Sequence, residues 1–284
     1  MREWIAVSGA LIAAGVALFL YKVLVLGYPL STAEAPGTWR VDVVVAATGD
    51  GSRAVIDIPL PRSSGYQHIV SEEVQSEATR FSINEADGDR RGKWSGRLEG
   101  STSLSYQVTI EAETYGRSDI PADAGGKYPA SVASYLEAST GIQHSDPAVA
   151  ELRKELALDT KNKTALAFGI YDFVAKEIGA GRGSAPTDAL LVIKEGRGTP
   201  RGRARLFCAL ARANGLPCRV MTGIPLRAGR SEEFAYWNEV YLAGAWVPFD
   251  VIERRAGLLP PDRLSLGPSD GSEPVKAANI SGLT

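Results

Sequence analysis

From Trp39 to Ile110 apolar residues recur at every second position; from Pro147 onward they recur at helical spacing. In the first region Trp39, Val41, Val43 and Val45 fall on one side of an extended chain, and Ile56, Ile58 and Leu60 repeat the pattern. Phe81 and Ile83 lead into "NEADGDRR", whose Asp87-Gly88 pair is a hairpin signal, and Trp94 lies on the return strand. The segment "LSYQVTI" alternates most cleanly, with Leu104, Tyr106, Val108 and Ile110 inward and Ser105, Gln107 and Thr109 outward. Residues 38 to 115 therefore predict an all-β sandwich or half-barrel.

Helical periodicity follows a stretch rich in Gly, Pro, Ser and Ala that holds one short helix around "SVASYLEAS". Asp146 can cap a helix opened by Pro147, with Val149, Leu152 and Leu156 on its inner face. A second helix starts at Thr164 and turns Leu166, Ile170, Phe173 and Val174 inward; a third, short one in "TDALLVIKEG" takes Thr187 as its cap. Next, Thr199 is a good N-cap and Pro200 a good first helical residue, because a first-turn position leaves its N–H unpaired in any case. Ala204, Phe207, Cys208 and Ala211 form one stripe of that helix with Leu206 and Leu210 beside it, so it is buried on most sides. Gly215 suits a left-handed helix end and Pro217 bars continuation. Strands "CRVMTGIPL", "EFAYWNEVYL" and "AWVPFD" follow, the last two joined across Ala243-Gly244. A central helix on an antiparallel sheet makes the fold class α+β.

The N-terminus differs from both regions. Trp4 to Tyr21 is uncharged and apolar, and apolarity resumes after Lys22, so the segment is long enough to cross a bilayer with Lys22 snorkelling. A cleavable signal peptide competes, since Ala33 and Ala35 form an A-x-A triplet, but signal cores run only about 7 to 15 residues. The chain then reads as an N-terminal transmembrane anchor at 1–30, a β-sandwich-like domain at 36–118, a boundary segment at 119–145, the helix-and-sheet domain at 146–260 and a C-terminal tail at 261–284. A short N-terminal stub before a large domain favours a single anchor in a bacterial inner membrane with the main domain periplasmic.

Composition narrows the chemistry. A formal net charge of -2 over 284 residues offers no basic field, which argues against nucleic acid as a partner. Two cysteines and two histidines are too few for a zinc pattern, and neither a metal nor another cofactor is expected. Cys208 and Cys218 read as small buried hydrophobes, with a disulfide between them as the alternative that helix-to-strand geometry must permit.

"ARLFCALARANGLPCRVMTG" followed by "YWNEVYLAGAWVPFD" resembles the core of the transglutaminase-like superfamily, whose fold is related to papain-like thiol enzymes. That resemblance implies a cysteine opening the central helix, a histidine two residues before a strand tryptophan, and an aspartate ending the next strand. The helix N-terminus would lower the thiol pKa, the imidazole would take its proton and the carboxylate would orient the ring. Here the three places fall on Pro200, Ala235 and Asp250, so thiol and imidazole are both missing. Cys208 is too far along the helix to substitute, and His68 and His144 stand at no family spacing. "YKVLVLGYPL" after the anchor and "IKEGRGTPRGRARL" further resemble the inactive transglutaminase fused to seven transmembrane helices. The resemblance thus implies a membrane bundle beyond the tail, which this chain does not include.

The expected protein is a pseudoenzyme. Arg197, Arg201 and Arg203 stand at the entrance of the central helix, where helix N–H groups and guanidinium forks would together hold an acidic group. Arg201, Arg203, Trp237 and Asp250 are the candidate ligand-binding residues of a degenerate cleft for a peptide or acidic ligand; Asp250 could instead pair with one of those arginines. The function expected first is a membrane-anchored, non-catalytic binding or sensing module, partnered by the lipid bilayer. A platform assembling membrane-protein partners comes second, and an unconventional amidase or acyl transferase using Asp250 third.

Overall fold

The computed structural model describes residues 37–75, 79–86, 89–120, 127–229, 233–269 and 276–278. The anchor expected at 1–30 and the Asp87-Gly88 turn lie outside them. Among the described residues no helix is long and apolar enough to cross a membrane. The described residues all belong to one compact unit.

The alternating region forms strands β1 (Gly37–Pro59), β2 (Gln67–Gln75), β3 (Thr79–Ala86) and β4 (Asp89–Ala112). β4 is central: it pairs antiparallel with β1 along one edge, and with β3 and then β2 along the other. The two apolar runs of residues 39–47 and 54–58 belong to a single strand. A bulge between Asp50 and Arg53, with Gly51 at φ 86°, inserts one extra residue and moves the buried positions from odd (Val45, Ala47) to even (Ala54, Ile56, Ile58). Leu104, Tyr106, Val108 and Ile110 are all fully buried, contributing about 1.5–3 kcal/mol each for large apolar side chains. On β3 Phe81 packs against this core while Ile83 is exposed.

In the second region α1 (Pro147–Leu156), α2 (Lys163–Glu177), β5 (Gly179–Ala180), α3 (Ala189–Glu195), β6 (Arg197–Gly198) and α4 (Pro200–Ala213) lead to β7 (Cys218–Pro225), β8 (Ala235–Leu242), β9 (Ala245–Asp250), β10 (Arg255–Ala256) and β11 (Arg263–Pro268). The short helix expected near 131–139 is one turn, Ala130–Ala133, running into a 3-10 turn at Ser134–Leu136. Asp146 caps α1 on the N–H of Ala148, and Asn162 caps α2 on that of Ala165. The cap of α3 is Asp188, not Thr187: its carboxylate accepts from Leu190 N and Leu191 N, while the Thr187 carbonyl takes a hydrogen bond from Arg205. β7 to β11 form an antiparallel sheet in the order β10-β9-β8-β7-β11, and Ala243 (φ 49°) with Gly244 (φ 94°) make the tight β8–β9 turn.

The sandwich expectation needs correction. β1 to β4, joined on β1 by β12 (Lys276–Ala278), form one five-stranded sheet, and among the described residues of 36–118 no second sheet is built. Its apolar face is covered instead by the edge of the following sheet, since Leu226, Leu264 and Leu266 share one buried cluster with Ile56, Trp94 and Tyr106. β11, which supplies two of these leucines, lies in the stretch that the sequence reads as a tail. Gln67 locks the junction: its side-chain amide donates to the Ser265 carbonyl (3.1 Å) and accepts from the Ser265 N–H (2.7 Å), behaving as one more strand residue.

Candidate ligand site at the entrance of the central helix

α4 begins as its sequence dictates. Thr199 Oγ1 accepts from Gly202 N (3.1 Å) and Pro200 occupies the first helical position. The chain at Pro186 lies against this first turn so closely that a Cβ on Gly202 would sit 2.3 Å from the Pro186 carbonyl oxygen. Every residue from Arg201 to Arg212 is buried, and Asn238 on β8 ties sheet to helix through Nδ2 to the Ala204 carbonyl (2.9 Å).

At the entrance lies a cavity of about 240 Å³ whose wall includes Pro200, Ala235, Asp250, Arg255, Asp262 and Arg263, and neither cysteine nor histidine. Pro200 offers no nucleophile and Ala235 no proton acceptor. Asp250, 1% exposed, is already fully engaged: Oδ1 accepts the N–H of Ile252 (2.9 Å) and Glu253 (2.8 Å), and Oδ2 accepts from Arg263 Nη1 (2.6 Å). Arg263 passes its Nε–H to Asp262 (2.9 Å), and Asp262 accepts from Arg255 (2.5 Å). The wall is thus a row of alternating charges, Asp250–Arg263–Asp262–Arg255, closed on itself by short ion pairs. Sequence reasoning missed Arg263, although the Asp262-Arg263 dipeptide just beyond the expected domain end was the available signal.

The other expected binding residues stand elsewhere. Arg203 is buried and donates to the carbonyls of Val174 (3.1 Å) and Ala175 (3.4 Å), closing the last turn of α2; burial first, then the charge of Arg254, pushes its pKa down. Arg201 lies over the Tyr236 ring at 6.0 Å and does not line the cavity. Arg197 is exposed and pairs with Glu195 (3.3 Å). Trp237 is fully buried with Met221 and Leu259, 5.4 Å beneath the Arg263 guanidinium, and Gly223 leaves room for its indole. Asp250 pairs with Arg263 rather than with Arg197, Arg201 or Arg203.

Burial alone would raise the Asp262 pKa, but hydrogen bonds and proximity to Arg263 and then Arg255 hold it below the usual carboxylate value. The unfolded chain therefore binds more protons at acid pH. The stability from Asp262 is complete above its unfolded pKa of about 3.9 and is lost as pH falls through the depressed folded value. In urea titrations from pH 6 down to pH 2.5, Asp262→Asn is expected to be less stable than wild type above about pH 4, with the gap closing below it. A gap independent of pH would refute this linkage.

Comparison with known proteins places the chain. A family model of the transglutaminase-like superfamily matches residues 150–251, which hold α4 and strands β7 to β9. A second, described as inactive transglutaminase fused to 7 transmembrane helices, matches residues 21–166. That match spans just over half of the chain, and the protein belongs to this family of inactive transglutaminases. Among solved structures, a candidate cysteine protease from Cytophaga hutchinsonii is similar with a TM-score of 0.67 at 16% identity, over 89% of this chain and 90% of that one. It shares the fold of nearly the whole chain. A candidate protease from Parabacteroides distasonis (TM-score 0.34, 14% identity, 85% of this chain and 47% of that one) and the periplasmic domain of TgpA from Pseudomonas aeruginosa (0.36, 13%, 80% and 89%) match too weakly to carry an argument. No curated protein matches the chain significantly.

Proposed function

We propose that this protein is a non-catalytic binding module, tethered to a bacterial inner membrane by residues 1–30 and holding an extended peptide on its periplasmic side. The observation that carries this reading is the cavity at the α4 entrance, where Pro200 and Ala235 stand in the places of nucleophile and base while the space itself persists. Thr199-Pro200 is a sound helix start, so the fold is kept and the chemistry is gone. Asp250 cannot take over as a base without giving up Arg263, which disfavours an amidase built on it.

Support for an extended ligand comes from a second cavity of about 350 Å³, which shares Pro225, Leu226, Arg227 and Phe234 with the first and runs along Trp39 to Val44 of β1. Among the described residues no strand pairs with the outer edge of β1 over that stretch, so its backbone is available to a peptide adding as a strand.

The test uses the full chain in detergent micelles and a pool of acetylated, amidated decapeptides containing glutamine. Peptides should be retained at equilibrium with no ammonia release and no cleavage, and Ala235→Trp, which fills the first cavity, should weaken retention about tenfold. Ammonia release abolished by Asp250→Ala would establish the enzyme reading instead. Retention of no peptide, together with crosslinking to another membrane protein, would establish the platform reading.

A further inference from the structure

Cys208 and Cys218 take no part in the cavity. Cys208 lies midway along α4, Cys218 opens β7, and both are completely buried. Their sulfurs stand 2.7 Å apart, against about 2.05 Å for a covalent S–S bond, so less than about 1 Å of approach would join them. The geometry that the sequence left open is therefore met. Two further contacts hold Cys218 against the helix. Arg212, one turn beyond Cys208, donates from Nε (2.9 Å) and Nη2 (2.7 Å) to the Cys218 carbonyl. Asn238, fixed on the Ala204 carbonyl, reaches the Cys218 sulfur at 3.9 Å.

We propose that Cys208 and Cys218 become a disulfide as the chain folds in the presence of an exchangeable protein or glutathione disulfide. Two S–H bonds and the oxidant's S–S bond break and one new S–S bond forms; the two electrons and the two protons lost by the cysteines convert the oxidant's disulfide to two thiols by way of a mixed disulfide. Because both sulfurs are sealed in the folded core, exchange precedes the closing of β7 onto α4. For the same reason the finished bond is shielded from reductants. The pairing rests on the packing alone, whereas its formation in cells rests on the periplasmic placement proposed above, where thiol oxidants operate.

The test has two arms, both on the full chain. In the first, denatured and reduced protein is refolded with oxidised glutathione, then denatured, alkylated and weighed intact with and without reduction. The expected result is no alkyl group before reduction and two after it, with one linked peptide pair holding residues 208 and 218. Native reduced protein given the same oxidant should react far more slowly. The oxidised form should melt about 5–10 °C above the reduced form, as expected for a cross-link ten residues apart. Two alkylated thiols after oxidative refolding, or a melting point that falls on oxidation, would overturn the pairing. In the second arm, cells are quenched in acid before alkylation. A cross-link there supports formation in vivo; two alkylated thiols there, with a cross-link in the first arm, would overturn formation in the cell and the periplasmic placement while leaving the pairing in place.

Discussion

Glu239→Ala is expected to lose about 3–5 kcal/mol of folding stability, the largest effect of any single ion-pair change among the described residues. Glu239 is 1% exposed on β8. It accepts the Tyr66 hydroxyl at 2.5 Å on one oxygen and two donors of Arg219, at 2.8 and 2.6 Å, on the other. Arg219 is largely withdrawn from solvent, its side chain 12% exposed and its guanidinium 4.0 Å over the Trp246 ring with the Tyr135 ring at 5.6 Å. Removing the carboxylate leaves a mostly buried cation and a buried hydroxyl without their shared partner, and most of the desolvation penalty of both is then uncompensated. The Tyr66 pKa is already pushed well above its ordinary value, by burial first and by the Glu239 charge second. Tyr66→Phe should cost far less, about 1–2 kcal/mol, because Glu239 keeps its bidentate arginine. Urea melts of both variants decide the matter: a Glu239→Ala loss below that of Tyr66→Phe would show that stranding Arg219 is not the dominant cost.

Arg263→Met is expected to rank next, at about 3 kcal/mol, and to exceed Asp250→Ala. Without Arg263, the Asp250 carboxylate stays 1% exposed with only the two backbone N–H groups of Ile252 and Glu253, one lone-pair site of its second oxygen having lost its cation. Without Asp250, Arg263 still has Asp262 at 2.9 Å, and Asp262 is open enough to water to share its charge. The asymmetry is the content of the prediction, and chemical denaturation of the two variants with turnover measured alongside checks it. A catalytic Asp250 would give the reverse order of importance, with little loss of fold and complete loss of product. Equal stability losses would mean that Asp262 does not hold Arg263 once Asp250 is gone.

Much of the fold is legible in the chain because its determinants are local. The N-caps Asp146 and Thr199, the prolines at helix starts, the left-handed Gly215 and the Ala243-Gly244 turn depend on backbone geometry within a few residues, and each stands where the sequence puts it. The alternation of Leu104 to Ile110 is equally local, and all four residues are buried. Thr187 and Asp188 show the limit of such reasoning. Both are good caps, and the choice between them is made by Arg205, which claims the Thr187 carbonyl from another helix. β1 shows it again, since a bulge can change the phase of an alternating pattern without ending the strand.

The candidate site divides in the same way. That Pro200, Ala235 and Asp250 carry an acid but neither thiol nor imidazole is a matter of residue identity, which the sequence alone determines. The arginines were not legible as to role, because a guanidinium near a helix start points at a ligand or at a neighbouring carbonyl depending on what packs there. For Arg203 the answer is the end of α2. The partner of Asp250, the single-sheet form of the first region and the meeting of the two cysteine sulfurs all join residues through other elements: β11 beside β7, Leu264 and Leu266 under the first sheet, β7 against α4. Sequence fixes what each position can do by its chemistry and by short-range geometry. Only close packing of distant segments, which satisfies or strands each buried charge, decides what it does here.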